Sequence, residues 1–338
     1  MTARRATVLF ALALVALSVA YLGIAREAPG LAELLRWVAS WLGGDALRSG
    51  DAFVLAEIRL PRLVVAAFGG AALALAGTVL QATFRNPLAS PDLVGTTAGA
   101  AFGGALAIVT GWSQLGVIVT PAASLGGAML VTSLVFVLAR AHGRFSVTTL
   151  LLAGIALNTL VGALTSFVVT FTFNNYSASA DVLFWLMGGL EARTWEHAAI
   201  TAAGCVLCAV LVAPRARELD LLTLSDETAH SLGVDAAKAR RWLVWCACGL
   251  TASTVANSGG IAFVGLVVPH LARLMVGPSH RVLLPASALL GAVILVASDF
   301  ACRLAPPDSN LRLGVVTAFL GAPYFLYLLA RHRRGEAL

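Results

Sequence analysis

Few side chains in this sequence could carry chemistry, and none stands in a pattern that makes or breaks bonds. Cys205 and Cys208 have the C-x-x-C spacing of a redox pair or half a zinc site, but they share one apolar stretch without a neighbouring His or acid. They read as packing thiols, as do Cys246, Cys248 and Cys302; the odd total argues against a disulfide framework. Lys238 is the only lysine, and Ala239 follows it. A phosphate-binding loop needs Lys followed by Ser or Thr, so the chain encodes no ATPase of that type. His270 follows Pro269 inside an apolar run, where a packed or cavity-facing role fits better than catalysis. Neither His-Glu-x-x-His nor Gly-x-Ser-x-Gly occurs. Asp299 is the one acid within a predicted span and lies near its end, whereas an ion-coupled carrier places ionisable groups near the bilayer midplane. These residues propose no reaction, no metal and no cofactor held by the chain.

The elements that would position them are membrane spans. Of 338 residues 59% are hydrophobic and 12% charged, with mean hydropathy +0.87; a soluble domain carries about 25% charged residues. A helix needs about 20 residues to cross the hydrocarbon core, so charge-free stretches count the crossings. Residues 6–25 and 63–84 give one span each, and 93–139 gives two with a turn at Gly111-Trp112-Ser113-Gln114. One span lies in 145–180, ending in Asn174-Asn175-Tyr176-Ser177, and one in 197–214. Residues 242–272 give two shorter spans, turning near Asn257-Ser258-Gly259-Gly260, and 282–298 and 313–330 complete ten. The first span is read as retained, being longer than a signal-peptide core. With both termini in the cytoplasm, 15 of the 23 basic residues fall inside, as the positive-inside rule requires. The net charge of +6 then reports topology and not nucleic-acid binding.

Residues 214–241 form the longest hydrophilic segment. Ser225 ahead of Asp226, Glu227 and Thr228 marks a helix start, so this segment is either a solvated loop or a docking helix for a soluble partner. Gly69, Gly70, Gly77, Gly95, Gly99, Gly103 and Gly104 allow either close helix approach or a wide path. Thr96, Thr97 and Asn158 suit a path that holds its solute weakly, or hydrogen bonds between helices.

Several segments together resemble one family, the FecCD permeases of bacterial ATP-binding-cassette importers for iron-siderophores, haem and cobalamin. They are Arg59-Leu60-Pro61-Arg62 with Gly69, Gly77 and Gln81; Arg85 through Pro91 with Gly95; Leu150 through Gly154; and Trp185-Leu186-Met187-Gly188-Gly189-Leu190. The longest runs from Leu232-Gly233-Val234 to Gly260 through Arg273, followed by Asp299, Arg303, Gly314 through Ala318 and Gly321-Ala322-Pro323. The family usually has Glu-Leu-Pro where this chain reads Asn310-Leu311-Arg312.

The resemblance implies an all-α polytopic membrane protein of about ten transmembrane helices with the type II importer permease fold, one permease domain over 1–338 expected to work as a homodimer in the inner membrane, with both termini cytoplasmic. It implies two cytoplasmic ATPase subunits, which would bind the ATP-Mg, and a periplasmic substrate-binding protein. The 214–241 segment resembles the coupling helices, assigning Asp226, Glu227, Leu232, Gly233 and Val234 to ATPase contact. Arg59, Arg62 and Arg303 match positions that dock the binding protein. Asn86, Leu88, Val147 and Thr148 match the cytoplasmic gate, and Gly95, Thr96, Thr97 and Asn158 are placed along the path. Ser90-Pro91-Asp92 resembles siderophore permeases more than haem or cobalamin ones. An ion-coupled secondary carrier is the alternative from another class.

Overall fold

The computed structural model describes residues 3–24, 30–43, 50–139, 147–170, 182–183, 185–306, 309 and 311–333. Nearly every described residue is helical, because a chain this apolar must satisfy its backbone groups within each segment. The helices are α1 (Ala3–Gly23), α2 (Leu31–Gly43), α3 (Gly50–Phe84), α4 (Thr96–Val109), α5 (Val119–Ala139), α6 (Val147–Thr170) and α7 (Trp195–Val212). They continue as α8 (Ala216–Leu222), α9 (Asp226–Ser231), α10 (Ala236–Ser258), α11 (Val264–Val276), α12 (His280–Leu304) and α13 (Leu313–Arg333).

Six of them, α1, α3, α5, α6, the run Trp195–Leu222 and α12, are long and apolar enough to cross a membrane. The shorter apolar helices α4, α11 and α13, together with α10, bring the passes among the described residues to the expected ten. The turns fall where the charge-free runs predict them, at 110–118 and 259–263. The polar run Asn174–Ser177 lies outside the described residues, as do Arg140 and Arg144.

Two differences from the expected spans matter. Helix α3 starts at Gly50, not at residue 63, and carries Glu57, Arg59 and Arg62 within it; Val54–Arg59 forms a π-helical turn. Charges bounded the sequence count, but a charged side chain that finds partners does not end a helix. Second, α4 has 14 residues and α11 has 13, about 20 Å each at ~1.5 Å per residue, short of a ~30 Å core. The missing length comes from the 3₁₀ turn Pro91–Val94 before α4 and the non-helical 259–263 before α11. Irregular backbone at that depth must be covered by protein or line a cavity.

Helix α3 is the central post, packed by α7, α10, α11 and α12, with most of Leu60–Phe84 buried. Glycines allow this. A Cβ on Gly77 would stand 1.7 Å from the carbonyl oxygen of Gly265, and one on Gly70 would stand 2.2 Å from that of Gly291. Gly99 and Gly103 meet the backbone of α5 in the same way. Of the two roles open to these glycines, the structure selects close approach. Gly77→Leu is therefore expected to cost about 3 kcal/mol or more, whereas Gly162→Leu, with nothing within 4 Å of its Cβ, should be near neutral. Denaturant titration of the purified proteins checks the pair.

Candidate functional site

At one end of the bundle the 214–241 segment is folded and anchored to three spanning helices. Ser225 caps α9 by accepting from the Thr228 N–H at 3.0 Å, and Asp235 caps α10 by accepting from the Lys238 N–H at 3.0 Å. The Asp220 carboxylate accepts from the His280 N–H at 2.9 Å and meets the His280 Nδ1 at 2.6 Å, which fixes α8 to the start of α12. The Arg215 guanidinium lies 3.9 Å from the centroid of the Trp242 ring.

Asp226 is the centre of this end. Arg240 donates to both of its carboxylate oxygens, at 2.9 and 2.6 Å, and Arg85 donates to it as well. Arg240 also donates to the carbonyl oxygen of Thr83 at 3.1 Å, and Arg85 to that of Leu222 at 2.7 Å. Hydrogen bonds from Arg240, then the charges of Arg240 and Arg85, hold the Asp226 carboxyl below its ordinary value. The sequence reading placed Asp226 on a partner-facing surface. Its carboxylate also joins α9 to α10 and to the end of α3, while half its side chain stays exposed. Val234 likewise packs partly against the core. Asp226, Glu227, Leu232 and Gly233 are the exposed members of the set, joined by Leu224, 55% exposed, which the sequence reading missed because an isolated Leu in an amphipathic segment looks like core.

The same end holds the residues matched to the gate. Arg85 closes α3 in a left-handed conformation at φ 50. Asn86 Oδ1 then accepts from the Leu88 N–H at 2.9 Å, a tight turn that leaves Leu88 40% exposed. Thr148 is exposed at the start of α6; the Val147 side chain lies outside the described residues. The clamp on Asp226 thus grips the residue immediately before the Asn86–Leu88 turn.

The unwound starts of α4 and α11 meet in a cavity of about 470 Å³ lined by Asp92, Thr97, Leu186, Met187, Gly260, Ile261, Ala262 and the first turns of α13. Gly188, Gly259 and Gly314 bring these segments together: a Cβ on any of them would lie within 2.3 Å of a carbonyl oxygen. Thr97 faces the cavity, and Asn158 donates to the carbonyl oxygen of Asp92 behind it. Two further residues placed on the path, Thr96 and Gly95, are not among the residues lining this cavity. Thr96 is fully buried, bonded to Thr132 Oγ1 at 3.1 Å and Cys248 Sγ at 3.3 Å. Gly95 turns the chain at φ 80 against Val131. Both join helices, because the chain must turn and pack before α4 begins.

At the opposite end the three arginines matched to docking converge on α1. Arg62 makes a two-pronged pair with Asp299, at 2.8 and 2.7 Å, and the Tyr21 hydroxyl donates to the same carboxylate at 2.6 Å. Arg59, 6% exposed, donates to the carbonyl oxygen of Leu22 at 2.6 Å. Arg303 donates to that of Tyr21 at 2.9 Å and stacks over the Tyr21 ring at 4.4 Å. The resemblance assigned these three arginines to docking of the binding protein. Arg59 and Arg62 are instead committed inside the chain, because Asp299 and the end of α1 reach them first; Arg303 stays half-buried.

Comparison with known proteins agrees with this architecture. The model of the FecCD transport family matches residues 13–331. Among relatives, the cobalamin import system permease BtuC of Halobacterium salinarum is 43% identical over 84% of this chain and 75% of its own length. The Fe(3+) dicitrate transport system permease FecD of Escherichia coli is 41% identical over 83% and 86%, and the hemin transport system permease HmuU of Yersinia pestis 39% over 82% and 83%. A solved metal-chelate type ABC transporter in an inward-facing conformation superposes with TM-score 0.84 at 32% identity, over 97% of this chain and 99% of that one. With ten helical passes, an anchored surface at one end and a family match over almost the whole length, the chain belongs to the FecCD transport family.

Proposed function

We propose that this chain is the membrane-spanning subunit of an ATP-driven importer that moves an iron(III) chelate of the siderophore type across a bacterial inner membrane. It does so as a homodimer, with two cytoplasmic ATPase subunits and a substrate-binding protein on the outer face. The observation that carries the reading is the anchored α8–α9 surface. A force applied there reaches α3 at Arg85, α10 at Arg240 and α12 at His280 through charge-assisted bonds. ATP and Mg²⁺ belong to the ATPase subunit, and this chain supplies the path and the lever. The Asp226 end is cytoplasmic and the Asp299 end faces outward, by the arginine distribution. A single cysteine at Ser225, in a cysteine-free background, should then resist an impermeant thiol reagent in intact spheroplasts; ready labelling from outside refutes the orientation. A cobalamin cargo is the second reading, favoured by the 43% identical relative.

Uptake into proteoliposomes tests the whole. Strict dependence on ATP, the ATPase subunit and a loaded binding protein is expected, and uptake driven by an ion gradient alone removes the proposal. Gly233 tests the coupling surface. It sits at φ 83 with nothing within 4 Å of a built Cβ, so a large side chain meets no other part of the chain, and left-handed backbone costs a non-glycine residue ~1–2 kcal/mol. Gly233→Trp should leave expression normal and separate ATP hydrolysis from uptake, while Gly233→Asn, which tolerates that backbone, keeps uptake. Docking is better tested by Arg303→Glu than by Arg62→Glu, since an acid at 62 would face buried Asp299 and unfold this end.

A further inference from the structure

A second cavity, of about 400 Å³, lies beside the Asp299 end, between the α4–α5 turn, residues 185–197 and Arg312. Its size falls in the ~300–1,000 Å³ range of small-molecule sites, and its lining is charged. Arg312 pairs with Glu191 at 3.2 Å across it. Arg193 also lines it, its Nε buried and without a hydrogen-bond partner among the described residues. His197 also lines it, and its Nδ1 accepts from the Thr194 N–H, which leaves the ring proton on Nε2 as a further donor. Trp185 supplies an aromatic surface. Among the described lining residues two guanidiniums stand against one carboxylate, and a buried guanidinium N–H left unsatisfied is costly until an anion reaches it.

We propose that this cavity is an entry site for a carboxylate-bearing anionic chelate, held by Arg193 and Arg312 with the His197 Nε2–H as a further donor, and that Glu191 keeps Arg312 occupied until the ligand arrives. The assignment rests on the importer reading for its place in transport, but not for its binding chemistry. The probe is radiolabelled ferric citrate, with neutral cyanocobalamin as control, in equilibrium dialysis against the full chain assembled with its ATPase in nanodiscs. Saturable binding of ferric citrate and not of cyanocobalamin is expected. Arg193→Gln should weaken it about tenfold or more, the loss of a charge-assisted hydrogen bond. Glu191→Gln should tighten it severalfold by releasing Arg312. These opposite signs separate a binding role from a folding defect, which would weaken both. Docking of the substrate-binding protein to Arg193→Gln nanodiscs distinguishes the source of the carboxylate. Unchanged docking with weakened chelate binding supports the solute; lost docking with unchanged chelate binding makes the cavity a seat for the partner's acidic side chain and overturns the proposal. Absence of saturable ferric citrate binding in a preparation competent for ATP-driven uptake also overturns it. Binding without such uptake leaves the cavity assignment standing and fails the importer reading.

Discussion

Asp226→Asn is expected to reduce uptake at least tenfold while the assembled complex still hydrolyses ATP. Among the described residues the carboxylate is the one group that both Arg85 and Arg240 grip, so without its charge the α8–α9 surface keeps only the Arg85 bond to the Leu222 carbonyl toward the turn at Asn86–Leu88. Removing one partner of a buried ion pair costs about 3–5 kcal/mol. Asp226 is half exposed and only Arg240 is buried, at 8% side-chain exposure, so about 2–3 kcal/mol is the appropriate scale. Asp226→Glu should recover part of the uptake, and Arg240→Gln combined with Asp226→Asn should lose little beyond either change alone. Because the folded state lowers the pKa of this carboxyl, its stabilisation is complete above the reference value of 3.8 and is lost as pH falls below it. Coupling between pH 5 and 8 should therefore show no transition from this group. Wild-type uptake by a normally expressed Asp226→Asn protein would sink the lever.

Asp299→Ala is expected to be the most destabilising of these substitutions. The carboxylate is 1% exposed and receives three short hydrogen bonds, two from Arg62 and one from Tyr21, so its loss leaves a guanidinium buried among apolar helices without an anion. About 3–5 kcal/mol should be lost, with α1 released from α3 and α12. Arg62→Lys should fail to substitute, since a point charge does not reproduce the two-pronged geometry, whereas Tyr21→Phe should cost about 1 kcal/mol. The double change Arg62→Met with Asp299→Leu should be milder than Asp299→Ala, because apolar residues of similar size remove both charges together. Detergent-denaturant titration of the purified series gives these differences. A loss under 1 kcal/mol for Asp299→Ala would mean that α1 is held by its apolar contacts and by Arg59 and Arg303, and not by the Asp299 cluster.

The sequence by itself determined the class of protein, the number and order of the passes, and the segment most suited to a soluble partner. Each depends on hydrophobicity over about 20 residues or on local caps such as Ser225 and Asp235, and the bilayer and helix geometry convert such local patterns into structure almost without tertiary help. The family was likewise legible, because motifs such as Trp185–Leu190, Gly260–Arg273 and Gly314–Ala318 are strings. Only the tertiary structure decided what those strings do to one another. It brought three of them together through Gly188, Gly259 and Gly314, turned Asp226 inward onto two arginines from distant helices, and paired Arg62 with Asp299 across 237 positions of sequence. It also separated Thr97, on a cavity, from its neighbour Thr96, in a helix contact. An arginine at a helix end reads the same whether it meets lipid phosphate, a partner's acid or an aspartate of its own chain. Which anion it finds depends on the few ångströms between helices, and those distances are set by side chains and glycines far apart in the sequence.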